Sequence, residues 1–432
     1  MIDLLVAFLF IGILLFLYLI GVPIAFSIVL TCLLLMLSPL IRYEPQLIVQ
    51  GMIGGIDSFV ILAIPLFLLT GMYMNMYHLT HIIFDFAAEV VGPIKGGIAH
   101  VNVVASILFS GMTGAATADA AGLGTIEYEA MNKRGYRDGF SVAVTGSSSI
   151  IGPIIPPSIP IIFYGILAQE SIGALFIAGI IPGIMLGVIL LLMCTIYAHL
   201  HNYERGEWWS ATRFTKAFVR AAPALGTPVL IIGGLLTGYF TATEAGAVAL
   251  FYTVFVGEVF YGGVSRKAFF ETTYEGFVTT ASLTFIIAAA ALYGFMIRRA
   301  QIPRNLGEAI VGLSGEPLVI LFLIVGVLLL VGLMMETLAA IAILVPIFLP
   351  IITEVGIDPL HFGIVMVLTL MIGLLTPPFG IILFILEKVT GVPLETIMKS
   401  ILPFYVPLLV VLLLLILFPD LVLVLPRATG LY

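Results

Sequence analysis

The sequence contains one helix-breaking pattern twice, each time inside an apolar stretch long enough to span a bilayer. The first copy is residues 152–158, with the letters GPIIPPS, and the second is residues 373–379, with the letters GLLTPPF. The glycine and both prolines of the second copy follow those of the first by 221 residues. Unpaired backbone is costly in lipid, so such breaks are tolerated only where they are buried in protein or line a cavity. Paired breaks in two halves of a chain indicate the binding site of a secondary transporter.

The composition requires an integral membrane protein. Of the 432 residues, 61% are hydrophobic and 9% are charged, and the mean hydropathy is +1.24. Soluble domains carry about 25% charged residues. Apolar runs of about 20 residues predict helical spans, because a β-barrel would show short alternating segments. The sequence has no basic patch dense enough to bind nucleic acid. Cys32 and Cys194 lie inside apolar runs, where packing is the expected role.

The apolar stretches predict eight spans and two hairpins. The predicted spans are residues 4–20, 22–40, 58–76, 172–200, 222–238, 241–260, 279–296 and 403–424. Four further segments of about 13 residues are too short for a span, which needs about 20. They form two pairs that we expect to turn back near the midplane: 98–109 with 118–130, and 318–331 with 338–351. Two segments with mixed aromatic and charged residues, 201–220 and 263–275, are expected on the membrane surface or in solvated loops.

The spacing of hairpins and breaks indicates an inverted duplication. Gly111 precedes Pro156 by 45 residues, and Gly332 precedes Pro377 by the same number. If the first hairpin opens to the cytoplasm, twelve of the 17 lysines and arginines fall on the cytoplasmic side, which agrees with the positive-inside rule. The second hairpin then opens outward. This topology does not explain one outward cluster, formed by Arg298, Arg299 and Arg304.

Hydroxyl groups and freed carbonyls at the first hairpin and first break predict a sodium site. Neutral oxygen atoms suit a hard monovalent cation, and the C-terminal ends of half-helices favour a cation, whereas their N-terminal ends favour an anionic substrate. Alternatively, these small residues only allow helices to pack closely in lipid. The predicted ligands are Ser110, Gly111, Ser147, Ser148, Ser149, Gly152 and Pro153.

The second hairpin and second break predict a second sodium site with fewer hydroxyl groups. Its expected ligands are Gly332, Met335, Thr337, Gly373, Thr376 and Pro377. The substrate is expected between the two hairpins and breaks, in contact with Thr113, Thr117, Pro156, Ser158 and Pro378.

Three carboxylates are expected in or near the membrane, where acids mark functional sites. Asp119 follows the first hairpin tip and either stabilises it or acts in transport. Glu244 is either functional or a helix N-terminal carboxylate favoured by the macrodipole. Glu336 is either protonated or paired with a cation, so proton coupling stays open. The sequence has no zinc-protease, nucleophile-elbow or Walker motif, so we expect no enzymatic activity.

An ordered set of motifs resembles the large membrane subunit of tripartite ATP-independent periplasmic (TRAP) transporters, and it extends over nearly the whole chain. The motifs are GGIAHVNVVAS at 96–106, SGMTG at 110–114, ADAA at 118–121, KRGY at 133–136, IGPIIPPS at 151–158, TEAGAVA at 243–249 and LTPPFG at 375–380.

The resemblance implies an all-α, multi-pass protein of the bacterial inner membrane, with an inverted repeat and an elevator movement. A transport domain of residues 96–171 and 317–391 would slide against scaffold helices from 1–95, 172–316 and 392–432. Family members take up organic acids such as C4-dicarboxylates or sialic acid with two or more coupling Na⁺ ions. They receive the substrate from a periplasmic binding protein and contain a small four-helix membrane subunit, which we expect here as a separate chain.

Two other functions are compatible with parts of the sequence. A stand-alone ion-coupled anion carrier has similar hairpins and needs no binding protein. A non-transporting membrane scaffold or receptor is disfavoured, because it has no reason to place irregular backbone at the midplane twice.

Overall fold

The computed structural model describes residues 2–37, 46–206, 208–302, 307 and 316–432. Regular secondary structure in these ranges is helical, apart from one isolated bridge between Lys95 and Arg205. Eight of the described helices are long and apolar enough to cross a membrane. The predicted all-α membrane protein is therefore confirmed.

The first half of the chain supplies hairpin 1 and the first broken helix. Hairpin 1 consists of α6 (Gly97–Thr113) and α7 (Ala116–Asn132), and the broken helix consists of α8 (Asp138–Ser149) and α9 (Ile159–Ala168). The described helices up to this point are α1 Ile2–Leu19, α2 Ile24–Met36, α3 Gln46–Ile56, α4 Ala63–Met76, α5 Leu79–Val91, α6 Gly97–Thr113, α7 Ala116–Asn132, α8 Asp138–Ser149 and α9 Ile159–Ala168.

Four long described helices lie between the two repeats, two more helices follow the second repeat, and the second repeat has the same order as the first. Hairpin 2 consists of α14 and α15, and the second broken helix of α16 and α17. The described helices are α10 Ile172–Leu200, α11 Ala211–Leu236, α12 Ala242–Phe260, α13 Arg266–Arg299, α14 Pro317–Met334, α15 Thr337–Glu354, α16 Pro359–Leu375, α17 Ile381–Thr390, α18 Leu394–Leu417 and α19 Asp420–Ala428.

The two repeats run in opposite directions and interlock. The second arm of each hairpin contacts the second half of the other repeat's broken helix, so α7 packs on α17 and α15 packs on α9. The Tyr164 hydroxyl near the end of α9 donates a hydrogen bond to the carbonyl of Pro359 at the start of α16, at 2.5 Å. Since α16 begins where α9 ends, the two broken helices are antiparallel, as the duplication predicts.

The centre of the molecule is formed by the first halves of the two broken helices. Every residue from Phe140 to Ser149 in α8 and from Leu360 to Leu375 in α16 is buried. Helices α10 and α18 pack directly on these segments and on each other. Cys32 and Cys194 are buried free thiols, which agrees with the predicted packing role.

The predicted half-length hairpin arms were wrong. The four arms contain 17, 17, 18 and 18 residues, so each is about 26 Å long. Helix α6 continues through Ser110 and Gly111, and only Gly114 and Ala115 form the first turn. Glycine and hydroxyl residues do not end a helix in lipid, where no water competes for its backbone hydrogen bonds.

The two segments expected on the membrane surface or in solvated loops are helical over at least half of their length. Residues 266–275 are the first turns of the continuous 34-residue helix α13, and residues 211–220 begin α11. Helices α3 and α5 were not foreseen, and the end of the predicted span 22–40 lies outside the described residues.

Candidate functional site

The first break is residues 150–158, and all nine residues are buried. Gly114 at the tip of hairpin 1 has a left-handed backbone, with φ of 58°, and packs against this break. A Cβ atom on Gly114 would lie 2.7 Å from the carbonyl oxygen of Pro157 and 3.0 Å from the nitrogen of Ile159. The predicted contact between the first hairpin tip and the first break is therefore present.

The second break is residues 376–380, which separate α16 from α17. Here hairpin 2 approaches the last turn of α16 through two glycines, because a Cβ on Gly373 would lie 2.6 Å from the carbonyl carbon of Gly332. Both glycines are helical rather than part of the turn or break, which corrects the predicted extent of each. The peptide bonds Pro156–Pro157 and Pro377–Pro378 are both cis.

The serines at the end of α8 have different hydrogen-bond states. Ser148 donates to Asn102 Oδ1 at 2.7 Å, and Ser149 donates to the carbonyl of Gly146 at 2.9 Å. The Ser147 hydroxyl is buried and has no hydrogen-bond partner among the described residues. Because burying an unpaired hydroxyl costs about 1–3 kcal/mol, Ser147 is the serine with unused capacity for a ligand.

Ser158 and Pro153 are already joined within the first break. The Ser158 hydroxyl donates to the carbonyl of Pro153 at 2.5 Å and accepts from the backbone N–H of Ile161 at 3.2 Å, which caps α9. Gly152 lies beside the buried carboxylate of Asp119, whose Oδ2 would be 3.3 Å from an added Cβ.

The second site has one corresponding unpaired hydroxyl. Thr337, at the start of α15, is buried and its Oγ1 has no hydrogen-bond partner among the described residues. Thr376 donates to the carbonyl of Ile372 at 2.8 Å. Met335 is buried in the turn of hairpin 2. A third unpaired buried hydroxyl, that of Tyr293, lies in α13 beside the ring of Phe10 and belongs to neither site.

The remaining predicted site residues differ in burial, and the side chains of some lie outside the described part. Ser110, Gly111 and Thr113 lie in the last turn of α6, but their side chains are outside the described part. Thr117 is half-buried in the first turn of α7. The three prolines of the first break are buried, whereas Pro377 is half-buried and Pro378 is exposed.

Two of the three predicted acids have structural roles in the described contacts. Glu244 forms a capping box with Thr241, which confirms its helix N-terminal interpretation. Glu336 caps α15 by accepting from the backbone N–H groups of Leu338 and Ala339, at 2.8 and 3.3 Å.

A buried polar network behind the first site was missed by the sequence reasoning. Asn102 donates to Thr145 Oγ1 at 2.7 Å and accepts from Ser148, and Ser106 donates to the buried carboxylate of Glu127 at 3.4 Å. Asn102, Ser106 and Glu127 lie in the hairpin arms, which the sequence described as apolar. Asn102 and Ser106 are four residues apart and share one face of α6, which was the available signal.

The sites fit a cation such as Na⁺. Each combines the C-terminal end of a half-helix, which carries partial negative charge, with a hairpin packed against that end or the following break, and each repeat holds one buried unpaired hydroxyl. No group of three or more metal-binding acidic, cysteine or histidine side chains occurs among the described residues. The hydroxyl and carbonyl groups of the two sites are neutral oxygen donors, and the Asp119 carboxylate lies beside Gly152 of the first break.

Inverted hairpins, interlocked broken helices and eight candidate spans are the architecture of a multi-pass membrane transporter. The family model for "Tripartite ATP-independent periplasmic transporter, DctM component" matches residues 11–421. The chain belongs to this family.

Characterised relatives match over most of their length. The sialic acid TRAP transporter large permease protein SiaM of Vibrio cholerae is 42% identical over 410 residues, which are 94% of this chain and 95% of the relative. The C4-dicarboxylate TRAP transporter large permease protein DctM of Pseudomonas aeruginosa is 37% identical over 87% of this chain and 88% of the relative. Both are named as permeases, which agrees with the prediction of a transporter rather than an enzyme.

Two further comparisons concern chain organisation and fold. The sialic acid TRAP transporter permease protein SiaT of Haemophilus influenzae is 37% identical over 94% of this chain but only 66% of its own length. The YdaH transporter of Alcanivorax borkumensis, a solved structure, superposes with a TM-score of 0.65 at 16% identity, covering 89% of this chain and 90% of that one. This likeness supports the fold alone.

Proposed function

We propose that this permease takes up an organic acid of the sialic acid or C4-dicarboxylate class in symport with Na⁺. A periplasmic binding protein delivers the substrate, and a small four-helix membrane subunit completes the complex. The observation that carries the proposal is the recurrence of one arrangement in both repeats. Ser147 lies in the last turn of α8 before the first break, and Thr337 directly follows the turn of hairpin 2, and each has an unpaired buried hydroxyl.

Cation binding offsets a cost that each site otherwise bears. A Na⁺ ion can accept the unpaired hydroxyl oxygen and the terminal carbonyls of α8 or α16 as ligands. Its charge also opposes the negative end of the half-helix dipole. Bound Na⁺ thereby holds each hairpin tip against its break, so that the loaded sites move as a closed unit.

The anionic substrate belongs at the opposite half-helix ends. The N-terminus of α9 is capped by Ser158, but α17 begins after Gly380 without a side-chain cap. Free backbone N–H groups at a helix N-terminus bind carboxylates. The substrate carboxylate therefore docks at the start of α17, with Thr117, Pro156 and Pro378 around it.

Coupling follows from charge and from the interlocked repeats. The membrane potential drives one net positive charge inward with about 2.3 kcal/mol per 100 mV. Hairpins and broken helices contact one another across the repeats, so they move as one transport domain along the remaining helices. Helices α10 and α18 also pack on the broken helices, so they form the surface along which this domain moves.

Uptake by the complete system in proteoliposomes tests the proposal. Wild-type permease with its small subunit and binding protein should accumulate the organic acid only with an inward Na⁺ gradient. Ser147→Ala and Thr337→Val should each raise the Na⁺ concentration for half-maximal uptake about tenfold, the effect of losing one ligand to a charged group.

Matched controls exist on the same helices or the same repeat. The buried Ser141 hydroxyl donates to the carbonyl of Arg137, and the buried Thr369 hydroxyl donates to that of Val365. Ser141→Ala and Thr369→Val should leave the Na⁺ dependence unchanged. Uptake that is equally strong without Na⁺ would refute Na⁺ symport. Uptake by the permease without a binding protein would refute delivery by that protein and favour a stand-alone carrier.

A further inference from the structure

A second recess lies away from both breaks. It has a volume of about 920 Å³, and no residue of the two breaks is among the described residues that line it. It is placed near the ends of α9, α13 and α15, where Gln169, Arg298 and Thr353 line it. Under the topology deduced from the lysines and arginines, these ends face outward. The recess is therefore an outward vestibule, and its volume is in the range of ligand pockets.

The two walls of the vestibule belong to different predicted domains. One wall comes from the scaffold helices α3 and α13. Helix α3 packs closely against α13 through Gly51 and Gly55. The other comes from the end of α9 and from α15, which belong to the predicted transport domain. A movement of the transport domain therefore changes the vestibule, and a ligand that bridges its walls senses that movement.

Arg298 is the cation among the described residues that line the vestibule. Its guanidinium lies over Gly294, where an added Cβ would be 3.3 Å from Nη1. Its side chain makes no hydrogen bond or ion pair with any described residue. A guanidinium in a recess binds carboxylates with two parallel hydrogen bonds. The arginine cluster that the topology did not explain thus includes one residue suited to receive an anion.

The remaining polar lining limits which anion fits. Gln50, Gln169 and Thr353 offer neutral donors and acceptors, whereas Asp57 and Glu170 add negative charge. One carboxylate can pair with Arg298, but a second would face these two acids. Hydroxyl and amide groups of a ligand can instead donate to them.

We propose that this vestibule is an entrance site for a hydroxylated monocarboxylate of the sialic acid class, held through its carboxylate by Arg298. The proposal rests on the organic-acid function above and narrows it, because the lining disfavours a C4-dicarboxylate. The ligand occupies this site after release from the binding protein and before it reaches the breaks.

Cysteine protection tests the site without requiring transport. Cys32 and Cys194 are fully buried, so Thr353→Cys introduces an exposed thiol into the vestibule. In the permease complex, N-acetylneuraminate should slow labelling of this thiol by an impermeant maleimide, whereas succinate and mannitol should not. Adding Arg298→Gln should abolish the protection.

The neighbouring arginine supplies the matched control. Arg299 carries the same charge at the same helix end but does not line the vestibule among the described residues. Protection should persist with Arg299→Gln. Equal protection by succinate, or persistence of protection with Arg298→Gln, would overturn the proposal.

Uptake kinetics give an independent readout. With the complete system, Arg298→Gln should raise the KM for sialic acid about tenfold, while the Na⁺ concentration for half-maximal uptake stays unchanged. Arg299→Gln should behave as wild type. Equal KM values for the two variants would refute the entrance site. Absence of organic-acid uptake by the wild type would instead refute the proposed function, while the labelling result still judges the vestibule.

Discussion

The two helix breaks are related by the repeat, yet one is closed and the other is open. Residues 150–158 are all buried, and Ser158 caps the following helix while bonding back to Pro153. In the second break, Pro378 and Phe379 are exposed, and α17 begins without a side-chain cap. The same motif thus forms a fully buried break in one repeat and a partly exposed break in the other.

The difference follows from what surrounds each break. The first has a buried polar network behind it, in which Asn102 joins Thr145 and Ser148. The second has Tyr405, whose hydroxyl donates to the carbonyl of Leu375 at 2.5 Å. We infer that the first break is preorganised for a cation, while the second also serves the substrate, whose carboxylate needs free N–H groups.

The largest expected effect compares the two equivalent glycines. Gly373→Ala places a Cβ 2.6 Å from the backbone of Gly332, and backbone atoms cannot move aside easily. At Gly152 the nearest atom is a side-chain oxygen of Asp119 at 3.3 Å. Gly373→Ala should therefore lower the uptake rate tenfold or more, at a cost of about 1–3 kcal/mol, and Gly152→Ala much less. Equal uptake rates for the two variants would show that the close approach of hairpin 2 to α16 is not needed for transport.

An intermediate effect is expected for the buried polar network behind the first break. Asn102→Ala removes the amide that donates to Thr145 and accepts from Ser148, which keeps only its bond to the carbonyl of Thr145 at 3.1 Å, at a cost of about 1–3 kcal/mol. The melting temperature should fall, and the Na⁺ concentration for half-maximal uptake should rise.

Asn132→Ala is the control for this variant, because the Asn132 amide is exposed and donates to Asp138. An Na⁺ dependence in Asn102→Ala that equals that of Asn132→Ala would separate the network from the cation site.

The smallest effect is expected at the second break. Tyr405→Phe removes one hydrogen bond to the last turn of α16, worth about 1 kcal/mol, and should raise the substrate KM only a few-fold. Tyr252→Phe removes a comparable bond, to the carbonyl of Pro223, far from both breaks and should not change it. A change in Na⁺ dependence without a change in KM would assign the second break to the cation alone.

The sequence predicted the breaks because proline lacks the N–H group that a helix needs, and that effect is local. It did not predict the hairpin arms, since helices continued through Ser110 and Gly332 where glycine and hydroxyl groups suggested turns. In the buried polar network, Asn102 bonds to Thr145, which is 43 positions away, and Ser106 bonds to Glu127, which is 21 positions away. Such pairs leave no periodic signal, and only tertiary structure shows that Ser147 and Thr337 lack partners.

Thermal stabilisation by Na⁺ tests the central claim most directly. A ligand that binds only the folded state raises stability with its concentration. In the purified permease complex, NaCl but not choline chloride should raise the melting temperature. Ser147→Ala and Thr337→Val should each reduce this shift without lowering stability in choline, since each removes an unpaired buried hydroxyl, and the double variant should show no shift. A double variant stabilised by Na⁺ as strongly as the wild type would contradict the paired cation sites.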